Sequence, residues 1–269
     1  MAVDTKQTPP YGQEVDNSSS LFLTSLAKGL AVIRSFNRQH SDMSLKEMAE
    51  LNQMSMGSAQ RIAHTLEKMQ ILVRDQRSKR YRLGVGALAY GGQYLQTEAL
   101  LERANSTLLE LSQYFGETVN LHVPCGTDMV LVGRVQSRHH IPIFLPLGQR
   151  LPLYCTASGR AVLSLVGSQE EMLRQLGPTP RKKYTDNTIT TDKALLKEIA
   201  QAKTAGYSFS NGEYFIGDLN LAAPILDEQG KAIAAVNLSI PAERWSPEEA
   251  QEKLAPMLIR SARALSYGL

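Results

Sequence analysis

The stretch SLKEMAELNQMSMGSAQRIAHTLEKMQILVRDQRSKRYRL, residues 44–83, decides how the rest of the chain is read. Within residues 44–52, Leu45, Met48 and Ala49 recur at i, i+3 and i+4, the stripe of a short amphipathic helix. Gln53-Met54-Ser55 interrupts that stripe. Ser55 suits the N-cap of a second helix, because its hydroxyl can accept from the first free N–H groups. The second helix carries Ala59, Ile62, Ala63, Leu66 and Met69 on one face, and Gly57, Ser58, Gln60, Arg61, His64 and Lys68 on the other. A helix that enters the major groove needs this division. Short polar groups sit at its start, cations lie beside the phosphates, and an apolar back seats it on its domain.

Two strands then flank a charged tip. Residues 71–74 (ILVR) precede 75–79 (DQRSK), and 80–83 (RYRL) follow, with Tyr81 and Leu83 alternating against Arg80 and Arg82. From Met56 to Val85 there are seven Lys or Arg and two acids, a local charge of +5. A basic run on its own reads as a solvated face. Directly after a helix-turn-helix pattern it reads as the wing of a winged helix, and Arg77, Lys79 and Arg80 become candidate phosphate or minor-groove contacts. On the helix, Gln60, Arg61, His64 and Lys68 are candidate base or phosphate contacts, supported by Ser55 and Ser58.

Composition agrees with that division of labour. Residues 1–95 hold 12 Lys/Arg and 8 Asp/Glu, a charge of +4, whereas residues 96–269 hold 17 and 18, a charge of −1. Only the N-terminal third is equipped to meet a polyanion. The 269 residues are enough for two domains. No apolar run reaches the roughly 18 residues of a membrane span. The two cysteines, Cys125 and Cys155, make no disulfide framework and fit a reducing cytoplasm. Residues 1–19, polar and containing Ser and Pro, lack the basic start and apolar centre of a signal peptide and read as a disordered tail.

Around the central stretch the periodicity predicts further elements. A first helix spans residues 23–36, capped by Thr24 or Ser25, with Leu26, Leu30, Ile33 and Phe36 buried. Residues 37–43 form a polar connection. A helix over 87–96 reads as a linker and a candidate dimer contact, with packing on its own domain as the alternative. A longer helix over 98–115 ends at Gly116. Strands follow at 118–123, 129–135 and 141–145, then a small-residue turn, Thr156-Ala157-Ser158-Gly159, that enters a helix. Helices are expected at 169–176 and 193–205, a strand at 207–209, and a loop over 210–218. Strands at 221–226 and 232–240 form a hairpin. Trp245-Ser246-Pro247-Glu248-Glu249 is a strong helix start. The C-terminal part is therefore α+β.

Catalytic and metal signatures fail there. Ser158 lies in an elbow-like turn, but the flanking positions hold Thr156 and Arg160 where a nucleophile elbow needs glycine. His122, Cys125 and Cys155 lack the paired close spacing of a structural zinc site. No nucleotide-binding glycine motif is present, and no cofactor is implied. What remains is a binding domain. The turn Ala157-Ser158-Gly159 offers N–H groups to an anion. Asn237 and Ser239, two apart on one strand, share a face with polar groups, and Asn220 precedes the neighbouring strand. Together they suggest a pocket for a small acid.

These segments resemble the IclR family of bacterial transcription regulators. The resemblance runs from SLAKGLAVIRSF at the first helix through the helix-turn-helix and KRYRLG to GQRLPLYCTASGRAVLS, the TIT of 188–190, the GE of 212–213 and LAAPILDEQGKAIAAVNLSI. It implies a winged helix-turn-helix, a linker helix and a GAF-like effector domain, in homodimers that often pair into tetramers. It also implies an effector pocket built from the backbone of Ala157 and Ser158 and the side chains of Asn220, Asn237 and Ser239, with Ser210 or Asn211 from the loop. An acidic residue in that loop and a cysteine before the strand, found in some members, are replaced here. The opening helix and the VNLS strand look most like the branch controlling aromatic-acid catabolism. The domains expected are a tail at 1–19, a DNA-binding domain at 20–85, a linker at 86–97 and an effector-binding and oligomerisation domain at 98–269. The expected partners are a double-stranded operator and a small organic acid, with no membrane. The alternative is a small-molecule enzyme carrying a nucleic-acid-binding module.

Overall fold

The computed structural model describes residues 19–137 and 145–266. The expected tail at 1–19 and strand at 141–145 lie, all but their last residue, outside the described residues. Chain contacts divide between Thr97 and Glu98 into two compact units. Among the described residues no helix is long and apolar enough to cross a membrane.

The N-terminal unit contains α1 (Thr24–Ser35), β1 (Asp42–Met43), α2 (Leu45–Leu51), α3 (Met56–Lys68), β2 (Leu72–Arg74) and β3 (Tyr81–Leu83). Ser44 closes the start of α2 with a capping box. Its hydroxyl accepts from the Glu47 N–H at 3.3 Å, and the Glu47 carboxylate accepts from the Ser44 N–H at 2.7 Å. Ser55 caps α3, accepting from the Ser58 N–H at 3.2 Å. Val32, Phe36, Met43, Met48, Ala63, Leu66, Ile71, Leu72 and Tyr81 form one core.

Two expectations fail in this unit. Leu26 and Leu30 are 58% and 43% exposed, and Val32 is the buried residue of α1. The core is reached along Val32 and Phe36, one turn apart, which turns the leucine stripe outward. Neither Thr24 nor Ser25 caps α1, because Leu23 occupies the N-cap and makes no side-chain bond. The polar connection also contains β1, which pairs with β3 through Asp42↔Arg82 and Met43↔Tyr81 and gives a three-stranded sheet in the order β1-β3-β2. Beyond the wing, a 3₁₀ turn at Val85–Ala87 leads into α4 (Leu88–Thr97), which has no buried residue.

The C-terminal unit begins with α5 (Ala99–Phe115), stopped by Gly116 at φ +69°, the left-handed conformation that glycine adopts without cost. The strands β4 (Thr118–Cys125), β5 (Asp128–Val135), β6 (Arg150–Pro152), β7 (Ser208–Asn211), β8 (Asp218–Leu226) and β9 (Ala232–Pro241) form a six-stranded antiparallel sheet, order β6-β5-β4-β9-β8-β7. Between β6 and β7 run α6 (Ala157–Leu163), α7 (Gln169–Leu176) and α8 (Asp192–Ala205), and α9 (Pro247–Leu265) closes the unit. Helix α5 lies against β4 and β5, and α9 against β8 and β9. On the other face α6 packs through Ala157 and Ala161 onto Ala222 of β8.

Here the sequence reading missed β6, put Ser210, Asn211 and Asp218 in a loop, and left Asn220 just before its strand. They are strand residues: Ser210 pairs with Asn220, and Asn220 with Ser239. Polar side chains at sheet positions hide the alternation on which strand recognition depends.

Candidate nucleic-acid interface and ligand pocket

Helix α3 presents Gln60, Arg61, His64 and Lys68 to solvent. Gln60, His64 and Lys68 fall at i, i+4 and i+8, and Arg61 lies beside them, so they line one face. Its back, Ala59, Ala63 and Leu66, is buried. Ser55 and Ser58 are bonded to each other, Oγ to Oγ at 3.1 Å, as well as through the cap. These bonds hold the first turn of α3 in place.

The wing tip is braced by Asp75. One carboxylate oxygen accepts from the N–H groups of Arg77 at 3.0 Å and Ser78 at 2.6 Å and from the Ser78 hydroxyl at 2.8 Å. The Ser78 bonds hold the Asp75 carboxyl below its ordinary range. With Lys79 at φ +60°, the tip is a tight turn that leaves Arg77 and Lys79 exposed.

Arg80, the third expected wing contact, is bonded within the unit. Its guanidinium donates to the Asp42 carboxylate, to the Asp42 carbonyl at 3.1 Å and to Glu47 at 3.1 Å. It ties β3 to β1 and to the capping carboxylate of α2. Glu47 is held down to about 2 by the Ser44 N–H first and Arg80 next. Two carboxylates thus neutralise the charge that Arg80 adds to the wing.

In the C-terminal unit the sheet face beneath α6 is polar. Directly opposed residues share a face, so Thr118, Asn120 and His122 of β4 align with Asn237 and Ser239 of β9, Asp218 and Asn220 of β8, and Ser210 of β7. A chain of bonds crosses it in one direction. Arg134 donates to Asn120 Oδ1 at 3.1 Å, the Asn120 side-chain amide to Asn237 at 3.0 Å, Asn237 to Asn220 at 3.1 Å, and Asn220 to Asp218 at 2.8 Å. Ser239 donates to the other Asp218 oxygen at 2.8 Å. Burial raises the Asp218 carboxyl to about 6, against the pull of Asn220, Ser239 and Arg134.

The roof is the start of α6. Gly159 is required there: a Cβ would stand 2.2 Å from the Leu153 carbonyl oxygen. Thr156 caps the helix, accepting from the Gly159 N–H at 3.1 Å. The N–H groups of Ala157 and Ser158 lie in the first turn, where a helix has no acceptor of its own for them. Ser158 Oγ meets His122 Nδ1 at 3.0 Å, while His122 Nε2 is buried without a partner. Burial, then Arg134, pushes His122 down to about 3, so the ring is neutral near pH 7. Arg160 of α6 and Glu213, both buried, form a two-pronged ion pair at 2.6 and 3.1 Å. The Thr188 hydroxyl and Ile189 N–H also bond to Glu213. Thus the ASGR, TIT and GE motifs meet in one brace, and it carries Tyr214 and Phe215 to the cavity wall.

A cavity of about 40 Å³ remains between floor and roof, room for a water, so a ligand the size of an aromatic acid would have to displace the wall. Ala157, Ser158, Ser210, Asn220, Asn237 and Ser239 all line it. Asn211 does not: strand alternation turns it outward, where it is exposed and its carbonyl accepts from Asn187. The sequence reading missed Asn120, Asp218, Tyr214 and Phe215, and weighed His122 only for catalysis and as a metal ligand. His122, Cys125 and Cys155 do not converge, as Cys125 is exposed while His122 and Cys155 are buried, the Cys155 thiol pushed up by burial. Among the described residues no group of three His, Cys, Asp or Glu side chains is placed to hold a metal.

A model described as the bacterial transcriptional regulator IclR C-terminal domain matches residues 92–267, and one for the IclR helix-turn-helix domain matches residues 25–76. The Pca regulon regulatory protein of Pseudomonas putida is 30% identical over 250 residues, 92% of this chain and 84% of that protein. The crystal structure of the Thermotoga maritima IclR superposes with a TM-score of 0.67 at 29% identity, over 90% of this chain and 99% of that one. An IclR homologue from Microbacterium hydrocarbonoxydans, complexed with 4-hydroxybenzoate, shares the fold at a TM-score of 0.72 and 21% identity, over 90% and 98% of the two chains.

Proposed function

This chain belongs to the IclR family of bacterial transcriptional regulators, and on that premise we propose that it controls a catabolic operon in response to a small aromatic carboxylic acid. The family members it matches are DNA-binding regulators and not enzymes. In this reading residues 20–85 are the DNA-binding domain, 86–97 the linker, and 98–269 the effector-binding and oligomerisation domain. Gln60, Arg61 and His64 meet base edges or phosphates in the major groove. Lys68 and the wing residues Arg77 and Lys79 meet phosphate.

The observation that carries the proposal is the polar cavity under α6. It belongs to a chain that also carries a helix-turn-helix with an exposed polar face, and it offers N–H and O–H donors to an acid. The aromatic part is supported by Tyr214 and Phe215 in the cavity wall, and by the 4-hydroxybenzoate that the Microbacterium homologue binds. Homodimers, alone or paired, account for the outward stripe Leu23, Leu26 and Leu30 of α1 and for Leu88, Tyr90 and Tyr94 of α4, all at least 41% exposed. A two-fold dimer reads two half-sites about one helical turn apart, or a multiple of that.

The test starts from a random DNA pool. The full-length protein should enrich one sequence, with log affinity falling steeply against log salt. An aromatic carboxylate should then change affinity for that sequence about tenfold or more. Enrichment of no sequence would overturn the DNA contacts, and indifference to every acid would overturn the effector.

A further inference from the structure

Asp218 is a carboxylate in the wall of a cavity proposed to take a carboxylate. Two like charges side by side in a desolvated site disfavour each other strongly. The effector acid group therefore cannot sit against Asp218. The geometry of the floor says what can. An ionised carboxylate offers about four acceptor sites and no donor. The bonds from Ser239 and Asn220 fill one site on each oxygen. The amide chain runs from Arg134 to Asp218 without reversal, so each amide presents its N–H side toward Asp218 and its carbonyl toward Arg134. Turning one amide over would set two carbonyls, or two NH₂ groups, face to face. Asp218 is thus fixed as the acceptor end of the array, with acceptor capacity left beside the cavity.

The opposite wall has the complementary property. A neutral imidazole carries one proton. If it is on Nε2 of His122, the Ser158 hydroxyl donates to Nδ1 and the Nε2–H is uncommitted. If it is on Nδ1, that N–H donates to Ser158 and the hydroxyl proton is uncommitted. In either tautomer the pair keeps one donor that neither partner uses, on two residues that line the cavity.

We propose that the pocket selects a monocarboxylate that also bears a hydroxyl: the acid group is held at the Ser158–His122 wall, and the hydroxyl donates its hydrogen bond to Asp218. This deepens the aromatic-acid reading and rests on it. Asp218 is the specificity-determining residue, and it rejects both the acid lacking a hydroxyl and the acid with a second carboxylate. The first leaves the buried carboxylate short of a donor, and the second sets two anions together.

Calorimetric titration of the full-length protein tests this with benzoate, the three hydroxybenzoates, 4-methoxybenzoate and terephthalate. At least one hydroxybenzoate should bind ten times or more tighter than benzoate, the methoxy acid and terephthalate. In Asp218→Asn that preference should shrink to about twofold. The wild-type panel needs no variant, so a folding defect in Asp218→Asn leaves the test intact. Equal binding of benzoate and all three hydroxybenzoates, or a preference for terephthalate, would overturn the role of Asp218 while leaving the acid effector standing. Binding by none of these acids would overturn the aromatic-acid reading, and this inference with it.

Discussion

The α3 face and the cavity under α6 are both polar sites, built on opposite principles. The residues of α3 that would meet DNA are long, solvated and fastened only at their backbone. Their support is an apolar back and a serine cap. In the cavity nearly every polar atom is buried and bonded to another polar atom. An outward site works by summing many weak, screened attractions. An inward site works because few arrangements satisfy it, so each member there is worth more. Single substitutions should therefore be severe inside and mild outside, and that contrast can be tested from its strong end.

The largest effect is expected at Arg160. Arg160→Met strands the buried Glu213 carboxylate, and breaking a buried pair from one side costs about 3–5 kcal/mol. Thermal unfolding of the C-terminal unit should move down by many degrees, while the N-terminal unit is unaffected. A small shift would show that the brace is no stronger than a surface contact.

Next comes acid. Between about pH 4 and 6 the neutral His122 of the folded state must gain a proton on unfolding, so its contribution to stability rises with pH. Asp218, raised to about 6, holds a proton in the folded state that the unfolded chain releases, so its contribution falls with pH. The two slopes oppose each other. Asp218→Asn should unmask the His122 slope, and the variant should lose stability relative to the parent as pH falls from 6 to 4, by up to about 1.4 kcal/mol per pH unit. Parallel melting curves across that range would remove Asp218 as the counterweight.

The smallest effects belong to the wing, where they separate two arginines three residues apart. Arg77→Ala should leave melting unchanged and reduce the slope of log affinity against log salt by about one. Arg80→Ala should do the reverse, lowering the melting temperature of the N-terminal unit by freeing Asp42 and Glu47 while leaving the slope nearly intact. Identical behaviour of the two would return Arg80 to the DNA.

The same contrast explains what the sequence could reveal. On α3, periodicity and a serine cap are local signals, and helix, face and cap followed from residues 55–69. The floor of the cavity is a non-local object. Asn120 and Asn237 meet across 117 positions, and nothing near either predicts the other. Asp218 was hidden because polar residues on the buried face of β8 imitate a loop. His122 was visible as a histidine, but its partner Ser158 is 36 residues away. In α1 the failure was of another kind. Leu26 and Leu30 are a sound apolar stripe, and periodicity alone does not say whether a stripe faces a core or a second subunit. Arg80 shows the same limit for charge, because a sum over residues 56–85 counts a cation without counting the carboxylates that neutralise it.

For anyone adapting this protein as a biosensor, the fit of Gly159 against Leu153 sets the design rule. The ceiling of the cavity is backbone pressed on backbone, and Arg160, one residue on, locks it to the wall. Retuning should leave residues 156–160, Glu213 and the bonded floor alone and vary Tyr214 and Phe215, whose side chains shape the wall without supporting that ceiling. A library spread over the whole rim would lose most of its members to misfolding before any ligand was tried.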